Sequence, residues 1–246
     1  MIDLKNKTVI VTGSSNGLGK QTAIALAKLG ANLIINYNNS KDQAEDVVKQ
    51  IIESGGNAIS VKADVSSSKE IEHLFERAIE HYGKIDIIIN NAGIMITKFL
   101  KDFTEEDFDK QFSINVKSVY LMMKIAAEKL ENNGRIINIS SSTTKLMMPT
   151  YAIYSASKAA VEQMTRVYAK EIGHKGITVN SILPGPMNTE LFLRGKSEEQ
   201  IAKIAQLSVF NRIGNLEDVI PMISFLCSND SQWVTGQCIG INGGMI

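Results

Sequence analysis

The chain has 246 residues, with 26 basic and 26 acidic side chains and a formal net charge of zero. That balance excludes a global field drawing the protein onto nucleic acid or an acidic membrane surface. Hydrophobic content of 44% and charged content of 21% suit a globular chain with a sizeable core. Cys227 and Cys238 are too few for a disulfide framework and lack metal-ligand spacing. His73, His81 and His174 are scattered over predicted helices as surface or partly packed residues. No apolar run approaches the ~20 residues of a membrane span, and the residues before the first strand have no signal-peptide character. A cytoplasmic enzyme without a metal is the expectation.

Apolar runs of strand length alternate with amphipathic runs of helix length. Strands are predicted at Thr8–Thr12, Asn32–Tyr37, Ala58–Lys62, Ile85–Asn90, Arg135–Ser140, Thr178–Leu183 and Cys238–Ile241. Val9-Ile10-Val11 and Ile85-Asp86-Ile87-Ile88-Ile89 read as apolar on both faces, as parallel strands buried on both sides require. Helices are predicted at 18–29, 41–54, 68–82, 104–131, 153–174 and 216–227, several stopped by glycine at Gly30, Gly55-Gly56 and Gly83. Right-handed crossovers between such units give an α/β fold. The prediction is one Rossmann-type, doubly wound parallel sheet of about seven strands, helices on both faces, spanning 1–246 without a linker.

After the first strand, Thr12-Gly13-Ser14-Ser15-Asn16-Gly17-Leu18-Gly19 opens the first helix. Glycines let the backbone turn sharply and approach a ligand, and the free amides of a helix start attract a pyrophosphate. The spacing is Gly-x-x-x-Gly-x-Gly, not the Gly-x-Gly-x-x-Gly fingerprint. By itself the turn also suits a plain strand–helix connection. At the end of the second strand, a carboxylate would bond the ribose of NAD and repel a 2′-phosphate. The chain instead reads Asn36-Tyr37-Asn38-Asn39-Ser40-Lys41, with no acid before Asp42. NADP(H) is therefore the favoured cofactor and NAD(H) the alternative, although these polar residues also suit a turn and helix cap.

Further along, Tyr154 and Lys158 stand one helical turn apart on one face. A free phenol titrates near ~10 and is almost wholly protonated at neutral pH. An adjacent ammonium favours the phenolate, so Lys158 is expected to lower the pKa of Tyr154 and fit it for proton exchange with an alcohol or carbonyl oxygen.

Taken together, these pieces resemble the short-chain dehydrogenase/reductase family over essentially the whole chain. They occur in order: the turn at 12–19, Asp64-Val65, Asn90-Asn91-Ala92-Gly93, Asn115, Ser141, Tyr154-x-x-x-Lys158, Pro184-Gly185 and Val-Thr-Gly-Gln at 234–237. The resemblance implies that Tyr154 is the proton donor to a ketone and the acceptor from an alcohol. It implies that Lys158 holds the nicotinamide ribose and that Ser141, thirteen residues before Tyr154, bonds the substrate oxygen. Asn115 is implied to anchor a water linking Lys158 to solvent. Gly13, Ser15, Asn16, Gly17, Leu18 and Gly19 would cradle the pyrophosphate, and Tyr37, Asn38, Asn39 and Ser40 the adenosine ribose and its phosphate. Asp64 and Val65 would flank the adenine, with Asn91, Ala92 and Gly93 along the adenosine ribose. Pro184, Gly185 and Thr189 would meet the nicotinamide.

Three segments should surround the substrate: Ile94-Met95-Ile96 with Phe99, 146–151, and a lid over 187–210 that includes a short amphipathic helix. Their methionines and aliphatics imply an apolar ketone or alcohol; the same side chains could instead pack together or against a second subunit. Within the family, the chain looks most like 3-oxoacyl-[acyl-carrier-protein] reductases and bacterial glucose dehydrogenases. Lys175 stands where the former carry one basic residue, but Asn132 replaces the other. Family members are commonly homotetramers, with a dimer the alternative, joined through the helices at 104–131 and 153–174 and the last strand. A non-catalytic dinucleotide sensor is the competing class, disfavoured because all four catalytic positions are filled.

Overall fold

Alternate residues of a strand face opposite sides of its sheet, so a sheet covered on both sides needs runs without polar alternation. The computed structural model describes residues 2–246 and shows buried runs in the central strands, whereas the two edge strands are only partly buried. Its strands are β1 (Thr8–Val11), β2 (Asn32–Tyr37), β3 (Asn57–Lys62), β4 (Ile87–Asn90), β5 (Arg135–Ile139), β6 (Thr178–Pro184) and β7 (Cys238–Ile241). Every neighbouring pair is parallel, in the order β3-β2-β1-β4-β5-β6-β7. The chain winds outward from β1 to one edge, then crosses to β4 and winds to the other. The reversal between β1 and β4 opens a crevice at the carboxyl ends of those strands.

The helices are α1 (Gly17–Lys28), α2 (Lys41–Glu53), α3 (Ser68–Tyr82), α4 (Glu105–Phe112), α5 (Ser118–Lys129), α6 (Thr143–Leu146), α7 (Ala152–Ile172), α8 (Glu190–Leu193), α9 (Glu198–Ala205) and α10 (Ile220–Cys227). One face of the sheet, with Val9, Val11, Leu33 and Ile35, packs on Leu26 of α1, Val47 of α2 and Leu226 of α10. Ile10, Ile34, Ile88 and Ile136 point the other way, against Phe75 of α3, Met122 of α5 and Val161 of α7. Each fully buried aliphatic side chain contributes about 1.5–3 kcal/mol, so both faces are needed to hold the sheet.

Helix boundaries follow local chemistry. Ser67 caps α3 by accepting from the Glu70 amide, and Gly83 ends it at φ 80°. Thr104 and Asp107 form a reciprocal capping box at the start of α4. β4 begins later than the sequence suggests because the Asp86 carboxylate takes the Thr8 amide at 2.9 Å and pairs with Lys7 and Lys84, each at 3.1 Å. The single helix expected over 104–131 is divided by a π turn at Ser113–Lys117. Such an over-wide turn takes up one residue more than an α-helical turn, and π turns concentrate at functional sites. This one carries Asn115.

The glycine turn is stitched to the strands beside it. The Asn36 side chain accepts from the Gly13 amide at 3.1 Å and donates to the Ala63 carbonyl at 3.0 Å. The Thr12 hydroxyl accepts from the amides of Asn91 and Ala92, each at 3.0 Å, and the Asn91 amide donates to the carbonyls of Thr12 and Gly13. A Cβ on Gly19 would lie 2.5 Å from Asn91 Nδ2 and 2.6 Å from the Gly13 carbonyl oxygen. Gly19→Ala is therefore expected to destabilise the protein by about 1–3 kcal/mol, the usual cost of overpacking. Denaturant melts of the two proteins measure the difference.

Candidate active site

A cleft of about 630 Å³ runs along the carboxyl ends of β1, β2, β4, β5 and β6. One end is formed by Gly13, Ser15, Asn16, Gly17 and Leu18, and Gly13 and Gly17 hold φ of 60° and 54°. A Cβ on Gly17 would meet nothing within 4 Å, so its backbone faces open space. Asn16 supplies no side-chain cap to α1, and Ser40 none to α2. Both helices thus present amides free for an anion, with the positive ends of their dipoles aimed the same way.

Asn38, Asn39 and Ser40 line the adjoining part of the cleft, with Asp64 and Val65 opposite. Burial raises the pKa of Asp64, but the Ser66 amide and hydroxyl, Asn38 and the charge of Lys117 outweigh it and hold the carboxyl below its usual range. Asn91, Ala92, Gly93, Pro184, Gly185 and Thr189 complete this wall. Two expected contacts are corrected. Tyr37 is buried in the core under β2 and does not reach the cleft. Gly19 stands behind the turn, where its role is close packing. Asn36, a polar residue at the end of β2, is a buried brace that also borders the cleft.

At the centre lie Ser141, Tyr154 and Lys158. Tyr154 and Lys158 occupy successive turns of α7, both buried. The Lys158 ammonium donates to the Ile139 carbonyl at 2.8 Å and lies 5.9 Å from the Tyr154 ring centroid. The Ser141 hydroxyl lies close enough to the Tyr154 phenol to lower its pKa. Thr143 donates to Ser141 Oγ through its hydroxyl at 3.0 Å and its amide at 3.3 Å, leaving the serine's own proton free to be given. The flanking hydroxyls are spent elsewhere: Ser140 on Glu162 and the Lys158 carbonyl, Ser142 on the carbonyls of Leu183 and Pro184. Thr143 is a site residue that spacing did not reveal; only the turn of α6 brings it back onto Ser141.

The expected acidification of Tyr154 by Lys158 is not found. Burial pushes the phenol up to about 12; Ser141 pulls it back only in part, and Tyr151 raises it further. Burial equally drives the Lys158 ammonium down to about 8. Desolvation penalises both charges, and the ammonium is turned to the Ile139 carbonyl rather than to the phenol oxygen. Tyr154 therefore stays protonated at neutral pH.

Asn115 is fully buried in its π turn. Its Oδ1 accepts from the Ile94 amide at 2.8 Å, and its amide donates to the Ile94 carbonyl at 2.9 Å and to Ser157 Oγ at 3.1 Å. Ser157 in turn donates to the Tyr154 carbonyl. Both amide hydrogens are thus committed, and Asn115 ties the loop after β4 to α7 from outside the cleft. Gly93 lies between: a Cβ there would sit 3.3 Å from Asn115 Oδ1 and 3.4 Å from Lys158 Nζ.

On the substrate side the cleft is closed by Ile94, Met95, Leu146, Met148, Leu191 and Phe192. Phe99 and Met147, expected there, point to solvent, 59% and 82% exposed. Glu190 and Arg194, an exposed ion pair at 2.7 Å on and just after α8, join the rim unannounced by the apolar pattern. Thr189 caps α8, accepting from the Phe192 amide.

Free helix amides, a cleft long enough for a dinucleotide and a protonated phenol beside an ammonium define a nucleotide-dependent oxidoreductase site. Comparison with known proteins agrees. A family model described as Enoyl-(Acyl carrier protein) reductase matches residues 13–246. The chain is 40% identical to an NADPH-dependent aldehyde reductase-like chloroplastic protein of Arabidopsis thaliana, covering 100% of this chain and 96% of the relative. It is 38% identical to a short-chain type dehydrogenase/reductase of Picea abies, over 99% of this chain and 93% of the relative. Among solved structures, the angucycline C-6 ketoreductase LanV with bound NADP superposes with a TM-score of 0.93 at 33% identity, covering 99% and 96% of the two chains. The chain belongs to the short-chain dehydrogenase/reductase family.

Lys158 has a further thermodynamic consequence. Its pKa is about 8 in the fold against a reference of 10.5, so the folded state disfavours its charge. The penalty, on the order of 3 kcal/mol, is complete below pH 8 and fades as pH rises toward the unfolded value. Lys158→Met removes this pH-dependent penalty. The stability of wild type relative to this variant is expected to increase between about pH 8 and 10, read from paired denaturant melts.

Proposed function

We propose that the protein is an NADP(H)-dependent carbonyl reductase in which Tyr154 is the general acid. The carrying observation is a buried, protonated phenol with Ser141 and Lys158 at one point of a dinucleotide-sized cleft. The nicotinamide, when bound, supplies or receives the hydride. Ser141, its oxygen already receiving from Thr143, gives its own proton to the substrate oxygen and steadies the charge that develops there. Tyr154 delivers the proton that completes the alcohol. Lys158 stabilises the phenolate this leaves, an interaction stronger after transfer than before it and hence catalytic. Asn115 acts as a positioning residue through Ser157 and Ile94.

The open amides at the start of α2, with Asn38, Asn39 and Ser40 and no carboxylate beside them, favour a 2′-phosphate. Lys41 pairs with Glu45 at 3.4 Å on the exposed side of α2. The NADP bound to the related ketoreductase supports the same cofactor. Methionine, leucine and phenylalanine on the substrate side support a bulky apolar ketone, and α8 and α9 are the natural lid. An oxoacyl thioester on a carrier protein is less well supported. Lys175 is drawn onto the Ala127 carbonyl at 2.5 Å, and Asn132 brings no charge. The family resemblance and the exposed Tyr120 and Val167 on α5 and α7 support a homotetramer or dimer.

Two measurements test this reading. Tyr154→Phe is expected to lower kcat by at least ~100-fold while the Kd for NADPH changes little, because proton transfer is lost and few cofactor contacts are. Near-normal turnover would remove Tyr154 from its role. NADPH oxidation with a panel of aromatic, aliphatic and thioester ketones, repeated with NADH, is expected to show higher kcat/KM for NADPH; a tenfold preference for NADH would overturn the cofactor assignment.

A further inference from the structure

A second phenol shares the cleft with Tyr154. Tyr151 stands at the entry to α7, 8% exposed, its ring edge to face with that of Tyr154 at a centroid separation of 6.3 Å. Its main chain is committed, the amide donating to the Met148 carbonyl and the carbonyl accepting from Ser155. Its hydroxyl has no hydrogen-bond partner among the described residues, and it lines the cleft. The ring is buried but the hydroxyl opens onto the cleft, so a ligand that displaces water there must supply its partner.

The backbone that delivers Tyr151 is itself unusual. Met147 and Thr150, either side of Met148-Pro149, hold φ of 50° and 73°, a region that β-branched residues rarely enter. The Thr150 carbonyl is pinned by the Lys98 amide at 3.1 Å, tying this segment to the loop after β4. Strain of this kind persists only where surrounding structure fixes it, and it gathers at ligand sites.

We propose that Tyr151 determines specificity by donating a hydrogen bond to a second oxygen of the substrate, close to the carbonyl that reacts at Tyr154. The inference rests on the carbonyl-reductase reading and narrows the substrate class to apolar ketones with a hydroxyl or carbonyl oxygen near the reducible one. A ketone without that oxygen leaves a buried phenol unbonded, and sites built around a substrate hydroxyl reject analogues that lack it.

The test uses protein saturated with NADP⁺ and two probes differing by one oxygen, α-tetralone and its peri-hydroxy analogue, with binding measured by calorimetry. Wild type is expected to bind the hydroxy ketone about tenfold more tightly. Tyr151→Phe is expected to erase that preference, holding the affinity for α-tetralone within about twofold and leaving NADP⁺ affinity unchanged. No preference in wild type, whether both ketones bind alike or neither binds, overturns the proposal, as does an equal loss for both ketones in the variant. NADPH oxidation with the same ketones reports separately: a Tyr151-dependent binding preference without turnover would strike the reductase reading and leave the recognition of the second oxygen standing.

Discussion

An ammonium held out of water against a main-chain carbonyl is the interaction on which this site depends. Lys158 reaches from the second turn of α7 to the Ile139 carbonyl at the end of β5, and so locks the helix to the sheet where the crevice opens. The bond fixes where Tyr154, one turn earlier, can stand. It also keeps a positive charge in a place that resists it, since burial alone brings the ammonium to about 8. A buried charge with one hydrogen-bonded carbonyl gains most from a negative partner, and the nearest group able to become one is the phenol. In the proposed reaction, proton release by Tyr154 would relieve that electrostatic stress.

Around that pair the structure uses small, fully spent polar groups to fix larger pieces. Asn115 holds the loop after β4 to α7, Asn36 holds the glycine turn to β2 and β3, and Thr12 with Asn91 holds β1 to β4. Each is a polar side chain whose burial would be costly without partners and is stabilising with them. The π turn belongs to the same scheme, because it carries Asn115 into the interior between α4 and α5. Ser140, Ser141 and Ser142 illustrate the result. Their neighbours consume two of the three hydroxyls, and one is left to the cleft.

The substrate side is built differently. It comes from short helices and from a segment with two left-handed residues, presenting Met148 and Tyr151 rather than Met147. Rigid parallel strands supply one end of the cleft, while irregular chain shapes the apolar end. This division lets one fold keep its chemistry and change its substrate.

The parallel sheet and its helices were determined by sequence-local physics, unbroken apolar runs and glycine stops, and a four-residue spacing put Tyr154 and Lys158 on one helix face. Tyr37 shows the limit of that reasoning, since residues at a strand's end look alike until the sheet decides which side chain turns into the core. Tertiary structure alone decided the protonation of Tyr154, because the spacing to Lys158 is set by the helix whereas desolvation is set by everything packed over it. It alone brought Thr143 onto Ser141 and closed Asn115 behind Gly93. Contacts between distant segments and the water they exclude have no one-dimensional signature, and those two quantities govern the chemistry of this site.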